Sequence, residues 1–479
     1  MRIYLQTDTP QFFADIADVL RIFWGEVQVI PDGDADATLM HRHSPESDTY
    51  IWQMNGSSES LVTCNSKLVT AQNALVGKRM QKRAVKTCCY ALMKRITGLQ
   101  PPWGSLTGIR PTRLYYERLA GGDTRPQAEA ALVSLFDLAP RKAALLGEIV
   151  QSQHGLLAME DDVVDVYCGI PFCPTRCDYC SFPSAAIGRG GLVTPYLDAL
   201  RLEIEAMGTL VRARGLRVRA IYVGGGTPTA LTTLQLDDVL SALGRAFPGA
   251  IEWTVEAGRP DSLDGKKLAM LRDHPVTRIS INPQSMRNAT LERIGRAHTA
   301  EQVEVAYLTA RAAGFGNINM DLICALPGEG EQDFADTLER VAKLGPESLT
   351  VHTLAIKRAS KLRDMAHQLC DPDAAARMVE MGHQGAQAMG MRAYYLYRQK
   401  YMAGNLENVG YAKPGYACRY NIDHMEETTS VLALGAGGIS KRVFGNEARI
   451  ERAPNVSNID HYIARVDEMI ERKRVLWGS

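Results

Sequence analysis

Three cysteines are crowded into eight residues of this 479-residue chain. Cys173, Cys177 and Cys180 stand as Cys-x3-Cys-x2-Cys inside Val166-Tyr-Cys-Gly-Ile-Pro-Phe-Cys-Pro-Thr-Arg-Cys-Asp-Tyr-Cys-Ser-Phe182. Disulfides cannot pair all three in so short a loop without severe strain. Thiolates at this spacing can instead wrap around a compact soft-metal centre. A four-iron cluster has four corners, so three ligands leave one iron open to something that is not protein. Zinc usually asks for four ligands in separated pairs, and no second Cys-x2-Cys accompanies these three.

An open iron needs a chelating ligand that carries an amine and a carboxylate. S-adenosylmethionine carries both and would place its sulfonium beside a reducing cluster, where one electron cleaves a carbon–sulfur bond. The cofactor carries that step and the protein orients it.

The elements that must do the orienting begin at Val163. Strands are expected at Val163 to Cys168, Arg219 to Val223, Ile251 to Glu256, Val276 to Asn282, Asn317 to Ile323 and Ser348 to Leu354. Amphipathic stretches of helical length lie between them: Val193 to Arg214, Thr232 to Ala246, Asp261 to Arg272, Asn288 to Ala313 and Glu331 to Leu344. Six apolar, β-branched strands alternating with helices imply a parallel sheet covered on both faces. The pattern predicts an α/β fold, a partial (β/α)6 barrel over residues 161–370. Chemistry on such sheets collects at the C-terminal strand ends. The first strand leads into the cysteine loop and the second into Gly224-Gly-Gly-Thr-Pro228. The third ends in Glu256, the fourth runs into Asn282-Pro-Gln284, and the fifth carries Asp321. Three consecutive glycines let backbone approach a ligand closely, although tight turns use glycine too. Glu256 and Asp321 are acceptors for ribose hydroxyls or an amine, Arg296 suits a carboxylate, and Gln284 suits either. Each alone could equally be a cap or an ion pair; together, at one end of one sheet, they point to a ligand.

Residues 1–160 read as an N-terminal α/β accessory unit. The helix expected from Asn73 to Ile96 carries Lys78, Arg79, Lys82, Arg83, Lys86, Lys94 and Arg95, which suits a solvated face better than an anion surface. A Pro/Gly-punctuated connector (Pro101 to Arg113) and two helices come next, to about His154. Beyond Asp371 the alternation stops, and residues 371–479 read as a mainly helical C-terminal cap. That cap holds a tyrosine-rich stretch (Tyr394, Tyr395, Tyr397, Tyr401, Tyr411, Tyr416, Tyr420) interleaved with Arg392, Arg398, Lys400, Lys413 and Arg419. Aromatic area and cations on one wall would suit a substrate with several carboxylates; a core of buried tyrosines explains the same residues. Lysines plus arginines equal aspartates plus glutamates, 54 each, so no global field draws the chain to nucleic acid. No apolar run is long enough to span a membrane, and the N-terminus reads as a strand rather than a signal peptide. Ten cysteines are too sparse for a disulfide scaffold, and Cys168, Cys324, Cys370 and Cys418 read as buried or incidental thiols. A cytoplasmic location is expected.

The cysteine loop after Tyr-x-Gly-Ile-Pro-Phe, together with Gly-Gly-Gly-Thr-Pro, resembles the radical SAM enzymes. More narrowly it resembles the oxygen-independent coproporphyrinogen III oxidase group. Ser280-Ile-Asn-Pro-Gln-Ser285, Gly295-Arg-Ala-His298 and Asp321-Leu-Ile-Cys-Ala-Leu-Pro327 fit the same group. Trp103-Gly-Ser-Leu-Thr-Gly-Ile-Arg-Pro111, Tyr395-Leu-Tyr-Arg-Gln-Lys400 and Gly404-Asn-Leu-Glu-Asn-Val-Gly-Tyr411 look like its HemZ-type branch. The resemblance implies a 4Fe-4S cluster on Cys173, Cys177 and Cys180, and a 5′-deoxyadenosyl radical made from S-adenosylmethionine. It implies oxidative decarboxylation of coproporphyrinogen III to protoporphyrinogen IX, with an unidentified low-potential electron donor. By motif matching, Tyr167, Gly225 and Glu256 would contact the cluster-bound S-adenosylmethionine. Gly226, Thr227, Gln284, Arg296 and Asp321 match positions used for a second one, as does Tyr179; Ala355 and Ile439 complete the set. Two positions depart from the best-characterised branch, which has a cysteine where Ser181 stands and a histidine where Gly169 stands. There the chain is closer to the HemW-like haem chaperones. A haem carrier and a radical SAM enzyme with another substrate are therefore the alternatives to the oxidase.

Overall fold

The computed structural model describes residues 1–478 apart from Glu26, Pro45, 65–73, Ile109, 158–159, Ser181, 189–190, 356–361, 363–370, 400–401 and 446–448. Ser181, Cys370, Lys400 and Tyr401, singled out above, lie outside the described residues. The chain divides into two compact units, Met1–Gly147 with Arg398–Leu406, and Glu148–Tyr397 with Glu407–Ser479. The sequence suggests three, with the cap separate from the barrel. The two share one unit because strands from residues 392–454 hydrogen-bond into the barrel's own sheet.

The first unit opens with β1 (Arg2–Thr7), α1 (Phe13–Trp24), β2 (Gln28–Ile30), β3 (Ala37–His43), β4 (Ser47–Met54), β5 (Ser57–Cys64) and α2 (Ala74–Thr97). Its sheet runs β2-β1-β3-β4-β5, parallel about β1 and antiparallel thereafter. Ile3, Leu5, Ile16, Leu20, Leu39, Tyr50, Trp52, Leu92 and Met93 pack between that sheet and its helices. Several cations of α2 are engaged in ion pairs, Lys82 and Lys86 with Asp15, Arg83 with Glu117 and Lys94 with Asp137. Where two helices are expected before residue 154 there are three: α3 (Thr112–Ala120), α4 (Arg125–Phe136) and α5 (Pro140–Ser152). Thr124 and Gln127 form a capping box that starts α4, and Asp137 ends it in the left-handed region.

The second unit is built on β6 (Val163–Ile170), a short β7 (Phe172–Cys173) with β8 (Ala185–Ala186), α6 (Val193–Ala213), β9 (Arg217–Gly225), α7 (Thr233–Ala246), β10 (Glu252–Glu256), α8 (Gly265–Asp273), β11 (Arg278–Ser280), α9 (Asn288–Arg293), α10 (Ala300–Ala312), β12 (Ile318–Cys324), α11 (Glu331–Leu344) and β13 (Ser348–Thr353). All six expected strands are present and pair in parallel in the order β13-β12-β11-β10-β9-β6. One helix expected over Asn288 to Ala313 is two. Gly295, at φ 72°, turns the chain out of α9, and Thr299 starts α10 with a capping box to Gln302.

The C-terminal stretch contributes α12 (Pro372–Ala388), β14 (Arg392–Tyr397), β15 (Asn408–Ala412), α13 (Arg419–Glu426), β16 (Ser430–Leu434), β17 (Ile439–Phe444), β18 (Arg449–Pro454), α14 (Ile459–Ala464) and α15 (Val466–Gly478). Helices predominate, as expected, but five strands run between them. β15 and β14 extend one edge antiparallel; on the other, β16 adds a seventh parallel strand beside β6, followed by β17 and β18. The tyrosine-rich stretch does not form one wall. Tyr394, Tyr395 and Tyr420 are buried in a cluster with partly buried Tyr167 and Tyr222. Arg392, Lys413 and Arg419 instead line a cavity of about 400 Å³ with Glu252, Thr277 and Asn317, at the strand starts.

β16 is held by one carboxylate. Glu203 of α6 is fully buried and accepts from Gly435 N (2.7 Å), Tyr462 Oη (2.6 Å), Asn455 Nδ2 (2.9 Å) and Lys473 Nζ (2.6 Å). Burial pushes the Lys473 ammonium below its ordinary range. Removing one member of such a pair leaves an uncompensated charge in the dry interior. Lys473→Met is therefore expected to lower unfolding free energy by about 3–5 kcal/mol, and adding Glu203→Gln to recover much of it. Chemical denaturation of the two variants measures both; a silent Lys473→Met would overturn the pairing as the support of β16.

Candidate functional site

The cysteine loop leaves the end of β6, and the glycine triplet leaves the end of β9 next to it. Gly226 N donates to Ile170 O (2.8 Å), Thr227 N donates to Phe172 O (2.7 Å), and Thr227 Oγ1 lies 3.5 Å from Cys173 Sγ. Gly225 sits at φ 109°, a region that L side chains avoid. A Cβ on Gly226 would fall 2.6 Å from Phe172 O and 3.0 Å from Cys173 Sγ. Glycine is required here because backbone and thiol already occupy the space. Cys177 is buried and Cys173 and Cys180 are half-buried. Burial pushes the Cys173 and Cys180 thiols up, so only a bound cation would hold them as thiolates at neutral pH.

Arg259, which no motif in the sequence singles out, braces this loop. It is 2 % exposed and held by both oxygens of Asp261 (2.9 and 2.7 Å). Its Nη1 donates to Thr175 O and Oγ1 (2.9 Å each) and lies 3.9 Å from Cys177 Sγ. A guanidinium so placed would neutralise charge if these thiols held a soft-metal centre. Its one signal is an arginine shortly past a strand end, which no spacing rule separates from a surface residue.

The remaining expected residues sit at neighbouring strand ends. Tyr222 Oη donates to Glu256 Oε1 (2.7 Å), and Tyr222 stacks on Tyr420 with ring centroids 4.7 Å apart. Tyr167 stacks on both at 6.3 Å. Burial, with Asp321 nearby, pushes the Glu256 carboxyl up to about 7 despite its hydrogen bonds. For Asp321 burial acts upward too, but hydrogen bonds and charge from His352, with Asn319 and Thr350, hold it below the usual range. Two neighbouring carboxyls are thus set apart, one ionised and one titrating near neutrality. Gln284, at φ 67°, pairs with β12 through Asp321 O and Ile323 N, while its Oε1 is buried without a hydrogen-bond partner. Arg296 donates to Asn282 O and Gly258 O, and its buried Nε has no partner. His298 is buried with neither ring nitrogen bonded, and burial together with Arg296 lowers it to about 3. Orphaned buried groups beside strand ends are what a missing polar ligand leaves behind.

Tyr179, between Cys177 and Cys180, is half-buried, and burial raises its phenol. Ala355 lies two residues past the end of β13, half-buried. Ile439 opens β17 and is 48 % exposed, beyond the turn after β16. Cys168, Cys324 and Cys418 are buried, as expected.

Comparison with known proteins agrees with this geometry. Residues 167–341 match the radical SAM superfamily. The oxygen-independent coproporphyrinogen-III oxidase-like protein HemZ of Bacillus subtilis is 41% identical over 410 residues, covering 83% of this chain and 81% of that protein. The heme chaperone HemW of Escherichia coli is 28% identical, covering 59% of this chain and 71% of that one. Among solved structures, the coproporphyrinogen III oxidase HemN of Escherichia coli, a radical SAM enzyme, superposes with a TM-score of 0.54 at 24% identity, covering 67% of this chain and 72% of that one. The chain belongs to the radical SAM superfamily, in its oxygen-independent coproporphyrinogen-III oxidase-like group. Membership brings a 4Fe-4S cluster and S-adenosylmethionine as cofactors. The residues fit both: three thiols in one loop, a glycine cradle that a Cβ would fill, and orphaned polar atoms on Gln284 and Arg296.

Arg259→Gln should speed iron loss to a chelator about tenfold or more, read by absorbance after anaerobic reconstitution; unchanged loss would remove Arg259 from the site. For Glu256 the folded pKa lies above the unfolded one, so its contribution to stability is present below about 4.5 and is lost as pH rises through about 7. Glu256→Gln should therefore gain on the parent by about 1–3 kcal/mol between pH 5 and 8, measured by denaturation of the cofactor-free protein. A gap independent of pH would contradict the shift.

Proposed function

We propose that this chain converts coproporphyrinogen III to protoporphyrinogen IX without oxygen, by oxidative decarboxylation of two propionates. The observation that carries the reading is the reach of the likeness to HemZ. It runs over 410 residues, far past the 167–341 stretch that defines the superfamily, and so includes the accessory and C-terminal parts. Bound together, the cluster and S-adenosylmethionine supply a hydrogen-abstracting radical. In this reading Cys173, Cys177 and Cys180 hold the cluster. Gly225 lets backbone close on the cofactor, and Tyr167 walls it with a rigid aromatic face. Glu256 takes a ribose hydroxyl or the amine. Asp321, kept ionised, accepts from a second polar group, while the Gln284 Oε1 and the Arg296 Nε offer one acceptor and one donor. By motif matching, Gly226, Thr227 and Tyr179, with Gln284, Arg296 and Asp321, would hold a second S-adenosylmethionine, and Ala355 and Ile439 complete that set. The electron source is a low-potential donor, and the setting is the cytoplasm. Among the described residues no helix is long and apolar enough to cross a membrane.

Gly169 favours a second reading, a haem carrier of the HemW kind. A Cβ there would stand 3.3 Å from Tyr167 Cε1 and 3.4 Å from Leu434 O, so a larger side chain at the position where the oxidase branch carries histidine would need its neighbours to give by a few tenths of an ångström. Anaerobic turnover separates the readings. Reconstituted protein with S-adenosylmethionine, reductant and coproporphyrinogen III should yield protoporphyrinogen, CO2 and 5′-deoxyadenosine, and Cys177→Ala should abolish the cluster absorbance and all three products. Stoichiometric haem binding without turnover selects the carrier. 5′-Deoxyadenosine without tetrapyrrole product means another substrate.

A further inference from the structure

The first unit buries a group of side chains that the radical chemistry does not use. β3 ends in His41-Arg-His43, and two imidazoles two residues apart on a strand share one face. Asp48 of β4 stands directly opposite His43 in the antiparallel register. Its Oδ1 lies 2.9 Å from His41 Nε2 and 2.7 Å from His43 Nδ1, and the three ligand atoms all lie within 4.8 Å of one another. The side chains of His41 and Asp48 are fully buried, and that of His43 is 16 % exposed. On β1, Thr7 Oγ1 lies 2.9 Å from His41 Nδ1 and accepts from Thr9 N (3.1 Å). Tyr50 stacks on the His41 ring with centroids 4.5 Å apart.

We propose that His41, His43 and Asp48 bind one divalent transition-metal ion of the zinc type. The chemistry is that of two borderline-soft nitrogens and one carboxylate oxygen converging from two paired strands, a donor set suited to zinc or iron with the remaining position left for water. Thr7 supplies the outer contact such sites use: when Nδ1–H donates to its hydroxyl, the Nε2 lone pair faces Asp48 Oδ1. In that tautomer two lone pairs face each other at 2.9 Å in a dry site, and one cation between them would serve both imidazoles at once. The ion would tie β1, β3 and β4 together at the turn end of the β3–β4 hairpin. The alternative is a proton-only His–Asp–His network, and the test decides between them.

The measurement uses the full chain with Cys173, Cys177 and Cys180 changed to serine, so that the cluster loop holds neither iron nor zinc. After dialysis against a chelator, zinc alone is titrated and bound metal is counted by elemental analysis; cobalt(II) alone is titrated in parallel and read by its d–d absorption. One equivalent of zinc, with cobalt bands that zinc displaces, is the expected result. His43→Gln, at a partly exposed position, and the near-isosteric Asp48→Asn should each abolish stoichiometric binding while circular dichroism stays unchanged. Thr7→Val should weaken binding about 10–100-fold. Binding of no zinc, or an equivalent retained in both His43→Gln and Asp48→Asn, overturns the proposal and leaves the proton network. If either variant unfolds, His41→Gln with the same two readouts replaces it.

Discussion

The seat of the cysteine loop depends on the buried carboxylate of Glu203. It sits on α6, the helix after the loop, and gathers donors from Gly435, Asn455, Tyr462 and Lys473. A charge this deep is tolerated only when every lone pair is used, and here all four donors come from the last 45 residues of the chain. Through them α6 fixes the turn after β16 against the end of β6. Gly435, at φ 90°, passes so close to Gly169 O and Tyr196 Oη that a Cβ would lie 2.5 Å from each. Tyr196 Oη in turn donates to Gly169 O at 2.6 Å. The end of β6, just before the cysteine loop, is thus held from one side by residues far away in sequence.

From the other side the same loop is held by the segments that leave β9, β10 and α9. Thr227 reaches Cys173, Arg259 reaches Cys177, and Ile294 O accepts from Asp178 N at 3.0 Å. Loops at the C-terminal ends of parallel strands are free to vary because the sheet carries the stability. Here that freedom is spent on bracing three thiols rather than on mobility. The tyrosines complete the division of labour: Tyr167, Tyr222 and Tyr420 stack beside Glu256, whose burial raises its carboxyl while the Tyr222 hydroxyl, donating to it, opposes the rise.

The parts of this arrangement that could be read from sequence are those with a local cause. Cys173 to Cys180 declare themselves by spacing. The six strands from Val163 to Thr353 are apolar runs between helices of clear amphipathic period, and their polar ends result from the direction of a parallel sheet. What could not be read depends on distant pairing. Ser430-Val-Leu-Ala-Leu434 is a short, mostly apolar run whose status as a seventh strand is decided by β6, some 260 residues earlier. The tyrosines of 394–420 are ambiguous in sequence because a ring looks the same whether it faces a ligand or a core; their burial in the barrel, with Arg392, Lys413 and Arg419 at the opposite mouth, is a property of the sheet and not of the stretch. Arg259 is hidden for the same reason, since Thr175 and Cys177 lie more than 80 residues earlier, whereas the His41–His43–Asp48 group is local in sequence and is hidden only because its convergence depends on the β3–β4 register.

The pairing of β16 with β6 also sets an order of events during synthesis. A barrel whose first strand is closed by its seventh has contacts of very long sequence separation, and such contacts form late. Until residue 473 has emerged to neutralise Glu203, α6 carries an unpaired charge and β6 an open edge. The cysteine loop is therefore made early in the chain, but its seat is complete only when the segment up to Lys473 has folded back onto α6.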